Sequence, residues 1–490
     1  MANDDKRSLG FHVVRGTAWS IASRWGGRFL GLLSTIVLAR LLTPADFGIV
    51  TMATIIVGAI EVLGHTGQRQ ALMRLSAPTQ EHYDTAWTTA MLIAFVLGAL
   101  AWLSAPLAVW LFHEPRAATA VHVVAIGTVI SGFENFRTVE LQRDFRFRAL
   151  SVYNFIPSVL AFVVTLFSAI VLRNYWALAI GIVFEQATTV VLGYVMYPHW
   201  PTFTLVKVRE IWSYSWWALV RSVGYYLNTQ VDKFAVGTFG GAATMGRYEV
   251  ATDVGTSPTS EINAPMIATL FPVMSKVQHD PQRRKELYLD VLYWSALICT
   301  STAVGVALVT SDMVDLVLGP QWVDAKPLMP WLALAYGILG LSTSVYSAFD
   351  VIGQPRTSAR LQWIRFGVLG VCVVPVAYFF HSARAIAIAR FLVSLAITPT
   401  LFASLARALN LTLQDIIGTL WRPIGASLAM TAMVLGANAL ISFTGPVRLL
   451  IDVSLGMVTY TTAILGSWAL AGRPAGPEAV LLNFLTKARA

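Results

Sequence analysis

Long apolar runs recur along the whole sequence, and they constrain the fold more than any other feature. A helix of about 20 residues rises about 30 Å, which is the thickness of the hydrocarbon core of a bilayer. The chain has a mean hydropathy of +0.64 and only 12% charged residues. Runs such as 88–103 and 158–172 do not alternate between apolar and polar residues, as the strands of a membrane barrel would. We therefore expect an all-α polytopic membrane protein.

The hydropathy pattern predicts about fourteen transmembrane helices. Their expected ranges are 15–41, 46–69, 83–111, 117–139, 150–172, 175–197, 210–238, 243–274, 287–311, 325–349, 357–380, 384–407, 420–442 and 447–471. With this set of helices, 21 Lys and Arg residues fall on the side of the N-terminus and 7 on the other side. Short loops rich in Lys and Arg stay in the cytoplasm. We expect a multi-pass protein of the bacterial inner membrane with both termini in the cytoplasm.

One stretch of the sequence is repeated. Residues 38–54 can be aligned with residues 236–252, and four positions are then identical: Ala45 with Ala243, Gly48 with Gly246, Ala53 with Ala251, and Thr54 with Thr252. Each stretch follows the first predicted helix of a set of six. The repeat predicts an N-terminal six-helix lobe over 1–200, a second six-helix lobe over 201–410, and two additional transmembrane helices with a cytoplasmic tail over 411–490. Such repeats commonly flank a substrate site near the membrane midplane.

Three stretches of the sequence resemble the polysaccharide exporters of the MOP superfamily, the Wzx-like flippases. They are RGTAWSIASRWGGRFLGLLSTIVLARLLTPADFGIVTMA at 15–53, ELQRDFRFRAL at 140–150, and RYEVATDVGTSPTSEINAPMIATLFPVMSKVQHDPQRRKELY at 247–288. The resemblance extends over nearly the whole chain in order and spacing. It implies a MATE-like fold in which two bundles of six helices face each other in a V and open alternately to either side of the membrane.

The resemblance also implies a function. The cargo of this family is an oligosaccharide repeat unit on undecaprenyl diphosphate, which is made inside and assembled outside into exopolysaccharide, capsule or O-antigen. The partners it implies are this lipid-linked oligosaccharide, membrane lipids, and the polysaccharide polymerase and export machinery. It implies a secondary-active transporter with no catalytic residues and no cofactor, driven by a proton or sodium gradient.

Several cations lie inside predicted spans, where each charge costs several kcal/mol unless it is paired or hydrated. Arg24 and Arg28 share one helix face because they are four residues apart. We interpret them as part of a basic wall for the cargo, although Arg24 could instead form a structural pair with Glu61. Arg365 and Arg390 could line the cavity, or their side chains could reach the nearer membrane surface. The candidate substrate-binding cations are Arg24, Arg28, Arg221, Lys233, Arg365 and Arg390.

Carboxylates inside the predicted spans form a second set. The candidate coupling and gating carboxylates are Glu61, Glu185, Asp232, Glu249, Asp253 and Glu261. Glu261 lies between Pro258 and Pro265, and two missing backbone donors should kink or break the helix there. Asp232 and Lys233 lie at a depth similar to that of Glu249 and Asp253, which suits either gating salt bridges or structural pairs. Glu134 and Arg137 are three residues apart and should form a local pair on one helix.

Other classes of function fit the sequence less well. The net charge of +9 is spread over short loops and not collected into one stripe, so nucleic acid is not expected as a partner. No His spacing of a metal site and no P-loop pattern is present. A membrane polysaccharide polymerase would need a large outer loop or a cluster of His and carboxylates. A lipid II or multidrug exporter of the same superfamily would share the architecture and differ in the charge of its cavity.

Overall fold

A computed structural model describes residues 25–27, 29–64, 67–144, 146–211, 216–276, 280–440, 445–472 and 478. Within these ranges the chain is helical and contains no β-strand. Ten of the described helices are long and apolar enough to cross a membrane, or eleven if a bent pair at 115–143 is one span. The chain divides into two compact units, Met1–Gly246 and Arg247–Ala490.

The first unit is built from short and long helices that pack along one another. They are α1 (29–41), α2 (Pro44–Glu61), α3 (Gln68–Arg74), α4 (Gln80–Leu103), α5 (Ala105–Phe112), α6 (Pro115–Ser131), α7 (Val139–Arg143), α8 (Phe147–Leu172), α9 (Trp176–Met196), α10 (Val208–Ile211) and the first part of α11 (Trp216–Lys276). Helix α6 packs against α2, α4 and α9 and lies at the centre of the unit.

The second unit contains the remainder of α11 and six further long helices. They are α12 (Pro281–Met313), α13 (Met329–Val351), α14 (Pro355–Phe380), α15 (Ala383–Leu409), α16 (Leu413–Leu440) and α17 (Gly445–Leu470). Helix α13 packs against α12 and α15, and α12 packs against α16 and α17. The boundary between the compact units lies inside α11. The predicted three-part division at 200 and 410 remains a prediction.

Local sequence signals explain where α2 begins. Thr43 is the N-cap, Pro44 occupies the first helical position, and Asp46 completes a capping box. The Thr43 hydroxyl accepts a hydrogen bond from the backbone N–H of Asp46 at 3.4 Å. The Asp46 carboxylate in turn accepts one from the backbone N–H of Thr43 at 2.9 Å. These bonds satisfy donors that the first helical turn would otherwise leave unpaired.

Helix α11 has a break at Gly241, which lies between the predicted spans 210–238 and 243–274. Its backbone dihedral angles are non-helical at Gly241, with φ 73° and ψ 177°. The backbone remains helical through Pro258 and Pro265, so the predicted break around Glu261 does not occur, and the alternative of a kink remains a prediction. A proline removes one donor but keeps a helical φ, whereas the positive φ at Gly241 ends the helical path. The helix also carries eight charged residues and is not among the ten apolar spans. The count of fourteen spans remains a prediction.

The two repeated stretches of sequence contact each other within the first unit. A Cβ atom added to Gly48 would lie 1.8 Å from the carbonyl oxygen of Ala242, and one added to Gly246 would lie 1.8 Å from that of Pro44. In the repeat alignment Gly48 corresponds to Gly246 and Pro44 to Ala242, so this contact is reciprocal. Backbones can approach this closely only where no side chain separates them. The contact continues along α2, where the Tyr226 hydroxyl donates to the carbonyl of Ile55 at 2.7 Å.

Candidate functional site

A polar cavity of about 610 Å³ opens in the first unit, where the end of α2 meets α3, α4, α6 and α9. Its volume is within the range that small-molecule sites occupy. Its polar lining residues are Glu61, Gln68, Arg69, Gln70, Thr128, Ser131, Glu134, Gln186 and Ser222. In the expected orientation of the chain, this cavity lies toward the cytoplasmic ends of α2 and α6.

Glu61 is held at the edge of this cavity by the end of α2. The helix stops at Glu61, and a short 3₁₀ turn leads toward α3. The Thr128 hydroxyl on α6 donates to Glu61 Oε1 at 2.6 Å. Among the described residues, no Lys or Arg lies within ion-pair distance of Glu61. The carboxylate therefore faces the cavity with one hydroxyl partner among the described residues.

Arg69 and Glu134, which also line the cavity, form an ion pair. Glu134 also accepts a hydrogen bond from the Tyr153 hydroxyl of α8 at 2.7 Å. Arg69 donates to the Thr138 hydroxyl at 3.4 Å, and its guanidinium lies 5.9 Å from the centroid of the Phe136 ring. The pair thus connects α3 and α8 with the non-helical stretch that follows α6.

The predicted Glu134–Arg137 pair is wrong. Helix α6 ends at Ser131, and the chain turns by 68° before it becomes helical again. Glu134 and Arg137 therefore do not lie three residues apart on one helix face. Arg137 instead donates to the side-chain amide of Gln80, and its guanidinium lies 5.7 Å from the centroid of the Tyr83 ring.

The basic wall predicted from Arg24 and Arg28 remains a prediction, and the described part of the cavity lining carries few cations. It contains one cation, Arg69, and two carboxylates, Glu61 and Glu134. The charge of Arg69 is offset by Glu134, and the remaining polar groups are amides and hydroxyls. Arg24 and Arg28 lie outside the described residues.

Arg365 and Arg390 lie in the second unit and are only 1% and 2% exposed. Arg365 Nη2 donates to the Ser394 hydroxyl at 3.3 Å. The Arg390 guanidinium lies 4.5 Å from the centroid of the Tyr336 ring. The alternative that these side chains extend to a membrane surface is wrong, because hydroxyl and aromatic groups of α13 and α15 enclose them.

The other predicted site residues do not line the polar cavity. Glu185 on α9 accepts a hydrogen bond from the Ser158 hydroxyl at 2.7 Å. The remaining six all lie on α11, where each takes part in contacts within the fold: Arg221, Asp232, Lys233, Glu249, Asp253 and Glu261. Asp232 is fully buried. Their roles in binding, gating or coupling remain predictions.

Sequence reasoning identified Glu61 but missed the other polar residues of the cavity. Gln68 donates to the Thr89 hydroxyl at 3.2 Å, and Gln186 reaches the same cavity from α9. One signal was present in the sequence. Gly64 and Gly67 follow the polar end of α2, and Gly67 adopts a positive φ of 75° before α3. Two glycines in four residues mark a chain reversal, and a reversal at a span end exposes polar side chains.

Comparison with known proteins supplies the family and the fold. A family model described as a polysaccharide biosynthesis protein matches residues 37–327. An uncharacterized membrane protein in the cps region of Klebsiella pneumoniae is 24% identical over 379 residues, which are 76% of this chain and 77% of that protein. The succinoglycan biosynthesis transport protein ExoT of Rhizobium meliloti is 22% identical over 345 residues, 70% of each protein.

Among solved structures, the fold is similar to that of the lipid II flippase MurJ in an inward closed conformation. The TM-score is 0.74, and the match covers 93% of this chain and all of the MurJ chain. The sequences are 13% identical over this match. At this identity the likeness describes the shared helical architecture and not the cargo.

Proposed function

The chain belongs to the family of polysaccharide biosynthesis proteins, and from this premise we propose that it is a flippase for lipid-linked oligosaccharides. It moves an undecaprenyl-diphosphate-linked repeat unit from the cytoplasmic to the outer face of the inner membrane, where the units are assembled into a surface polysaccharide. It carries out no covalent chemistry. The name of the succinoglycan transport relative agrees with this function.

The polar cavity is the observation that carries this proposal. A space of about 610 Å³ lined by carboxylates, amides and hydroxyls lies inside a unit built from apolar helices. Polar side chains are costly in such surroundings unless they are hydrated or bind a polar ligand. A flippase needs this arrangement because the hydrophilic head of its cargo must cross a hydrocarbon layer.

A second cavity suits the lipid part of the cargo. It has a volume of about 610 Å³, lies in the second unit, and is lined almost entirely by apolar side chains of α12, α13, α15 and α16. An apolar chain that enters this cavity leaves no polar group unpaired. The second unit can therefore hold part of the polyprenyl chain.

Transport in this proposal is driven by an ion gradient, and Glu61 is the carboxylate that takes up the proton or sodium ion. It faces the polar cavity and accepts one hydroxyl hydrogen bond, without a described cation beside it. A carboxylate in such a position changes its charge when it binds a cation, and this change alters the balance between inward-open and outward-open states. Binding of the cargo itself must differ little between these states, because strong preference for one would stop the cycle.

Deletion of the gene tests the proposed function. We expect the surface polysaccharide to disappear and its lipid-linked precursor to accumulate on the inner leaflet, where a membrane-impermeant sugar-modifying reagent does not reach it. Re-expression of the wild-type chain should restore the polymer. Precursor that accumulates on the outer leaflet would instead assign the chain to polymerisation, and an unchanged polymer would exclude both roles.

A further inference from the structure

The connection between α9 and α10, residues 197–207, runs without a helix along the side of α4. The hydropathy pattern placed this connection in a loop between the predicted spans 175–197 and 210–238. We infer that it lies instead in the cytoplasmic leaflet of the membrane and binds phospholipid there. Its polar groups bond to α4, and its large apolar side chains are exposed.

Hydrogen bonds hold the connection against the first turns of α4. The Thr202 hydroxyl donates to the Asp84 carboxylate at 2.7 Å. The backbone N–H of Thr204 donates to the Thr88 hydroxyl at 3.2 Å. Asp84 and Thr88 are four residues apart on α4, so they share the face that the connection covers. The position of the connection is therefore set by α4.

These contacts place the connection at membrane depth. Helix α4 is among the helices that are long and apolar enough to cross a membrane. Its predicted span begins at residue 83, and Thr88 lies about 7 Å farther along the helix axis. Non-helical backbone is tolerated at such a depth where protein groups satisfy its hydrogen bonds. The Thr88 hydroxyl does this for the backbone N–H of Thr204.

The large apolar side chains of the connection are exposed. Trp200, Phe203 and Val206 are 82%, 73% and 74% exposed. Trp200 also stacks on Tyr194 of α9, with ring centroids 5.3 Å apart. The apolar surface therefore continues the exposed surface of α9 that includes Val195. An aromatic and apolar surface that continues a spanning helix at its end is suited to contact lipid at the membrane interface.

Cations lie beside both ends of the connection. Arg146 is exposed, and its guanidinium donates to the Tyr197 hydroxyl at 3.4 Å. Arg209 is exposed on α10. Lys207 pairs with Glu210 at 3.0 Å, so its charge is partly offset. Cations next to an interfacial apolar surface attract the anionic phosphates of the cytoplasmic leaflet. The ligand is therefore a phospholipid, with its acyl chains on the apolar side chains and its phosphate beside an arginine.

A fluorophore at position 206 tests this location. In a chain with Cys299 and Cys372 replaced by alanine, Val206→Cys is labelled with bimane and reconstituted in vesicles of phosphatidylethanolamine and phosphatidylglycerol. We expect strong quenching by lipids brominated near the headgroup end of their acyl chains, because interfacial apolar groups lie about 5–10 Å into this boundary. Iodide on both sides of the vesicle should quench the label roughly tenfold less than a label in water, since apolar surroundings exclude ions.

Two labelled positions calibrate the measurement. Gln282→Cys, at the exposed start of α12, is the control in water. Val163→Cys, at an exposed position within α8, is the control in lipid. A label at 206 that iodide quenches as strongly as the label at 282, and that brominated lipid does not quench, would overturn the inference. A label shielded from both quenchers would also overturn it, because protein would then cover this surface. Neither result bears on the flippase function, since no cargo is involved.

Thr88→Val tests whether α4 holds the connection at this depth. Valine keeps the shape of threonine and removes the hydroxyl that accepts from Thr204. We expect the label at 206 to lose quenching by brominated lipid and to gain quenching by iodide. Thr188→Val is the matched control, because the Thr188 hydroxyl donates to the Phe184 carbonyl within α9. Equal quenching in both variants would contradict the role of α4.

Discussion

Charged side chains inside the two units are stabilised by different kinds of partner. Arg69 is paired with Glu134, and both side chains are partly exposed to the cavity, at 37% and 25%. Arg365 is buried, and its polar partner Ser394 is uncharged. Within the described part of the chain, no group accepts a hydrogen bond from its Nε or Nη1. A buried cation held in this way costs free energy, and we therefore expect Arg365 to serve transport and not stability.

Arg365→Met should therefore separate stability from export. Replacement of a buried charge by an apolar side chain of similar volume is often neutral or stabilising by about 1–4 kcal/mol. We expect the Tm of the purified protein to stay the same or rise, and polysaccharide export to fall strongly. Arg384→Met, at an exposed position near the start of α15, should affect neither. A large loss of Tm in Arg365→Met with normal export would show that this arginine has a structural role.

At the residue scale, the sequence located charged residues inside the predicted spans, but it did not predict which residues pair with them. Glu61 was identified because a carboxylate in an apolar span is conspicuous. The pairing of Glu134 with Arg137 failed because it assumed a continuous helix, and α6 ends at Ser131. The partner of Glu134, Arg69, lies 65 residues away in sequence. Such distant pairs depend on how helices pack, and spacing along the chain carries no information about it.

At the scale of the elements, the crossing of α2 with residues 242–246 is the tightest contact described. Each glycine places its backbone against a carbonyl group of the other stretch. In the expected orientation this crossing lies at the outer end of α2. The polar cavity lies at the opposite end of the same helix. One end of α2 is therefore packed against residues 242–246, and the other end borders a cavity that a ligand can enter.

Gly48→Ala should prevent α2 and residues 242–246 from packing this closely. The new Cβ would lie 1.8 Å from the Ala242 carbonyl oxygen, which is backbone and cannot rotate away. We expect a loss of about 1–3 kcal/mol in the free energy of unfolding, as for other overpacked sites, and a strong loss of export. A cysteine placed at buried Met245 should become more reactive toward a membrane-impermeant maleimide. Gly31→Ala is the control, because no atom lies within 4 Å of its added Cβ.

Unchanged reactivity of the cysteine at position 245, with normal export, would mean that the crossing tolerates a side chain and plays no part in closure.

The ranges of most helices could be predicted from hydropathy alone, because length and apolar content decide which segments cross a bilayer. The break in α11 at Gly241 falls between the predicted spans 210–238 and 243–274, so the hydropathy pattern located it. Which of the glycines there adopts the positive φ depends on packing.

For the whole molecule, the positive-inside pattern predicts an orientation that labelling can test. In a variant with Cys299 and Cys372 replaced by alanine, a single cysteine at Asn174 should react with a membrane-impermeant maleimide in intact cells. A single cysteine at exposed Gln282 should react only after the membrane is permeabilised. The reverse pattern would invert the topology and place the polar cavity toward the outside.

Family membership and the helical fold could both be predicted from the sequence, since they depend on patterns spread over the whole chain. The charge of the cavity lining could not be predicted from the sequence. It depends on which of many polar residues meet at the end of α2, and Gln68, Gln186 and Thr128 come from three different helices. None of the three carries a charge that would mark it in an apolar span.

Four residues of the described cavity wall come from the connections that follow α2 and α6: Gly64, Gly67, Gly132 and Glu134. Turns tolerate sequence change better than the long helices that support them. Grafting residues 62–70 and 132–138 from a relative with different cargo would therefore be the smallest exchange that remodels this wall. Such chimaeras offer a route to re-engineer which glycans a cell displays while the membrane-crossing scaffold is left untouched.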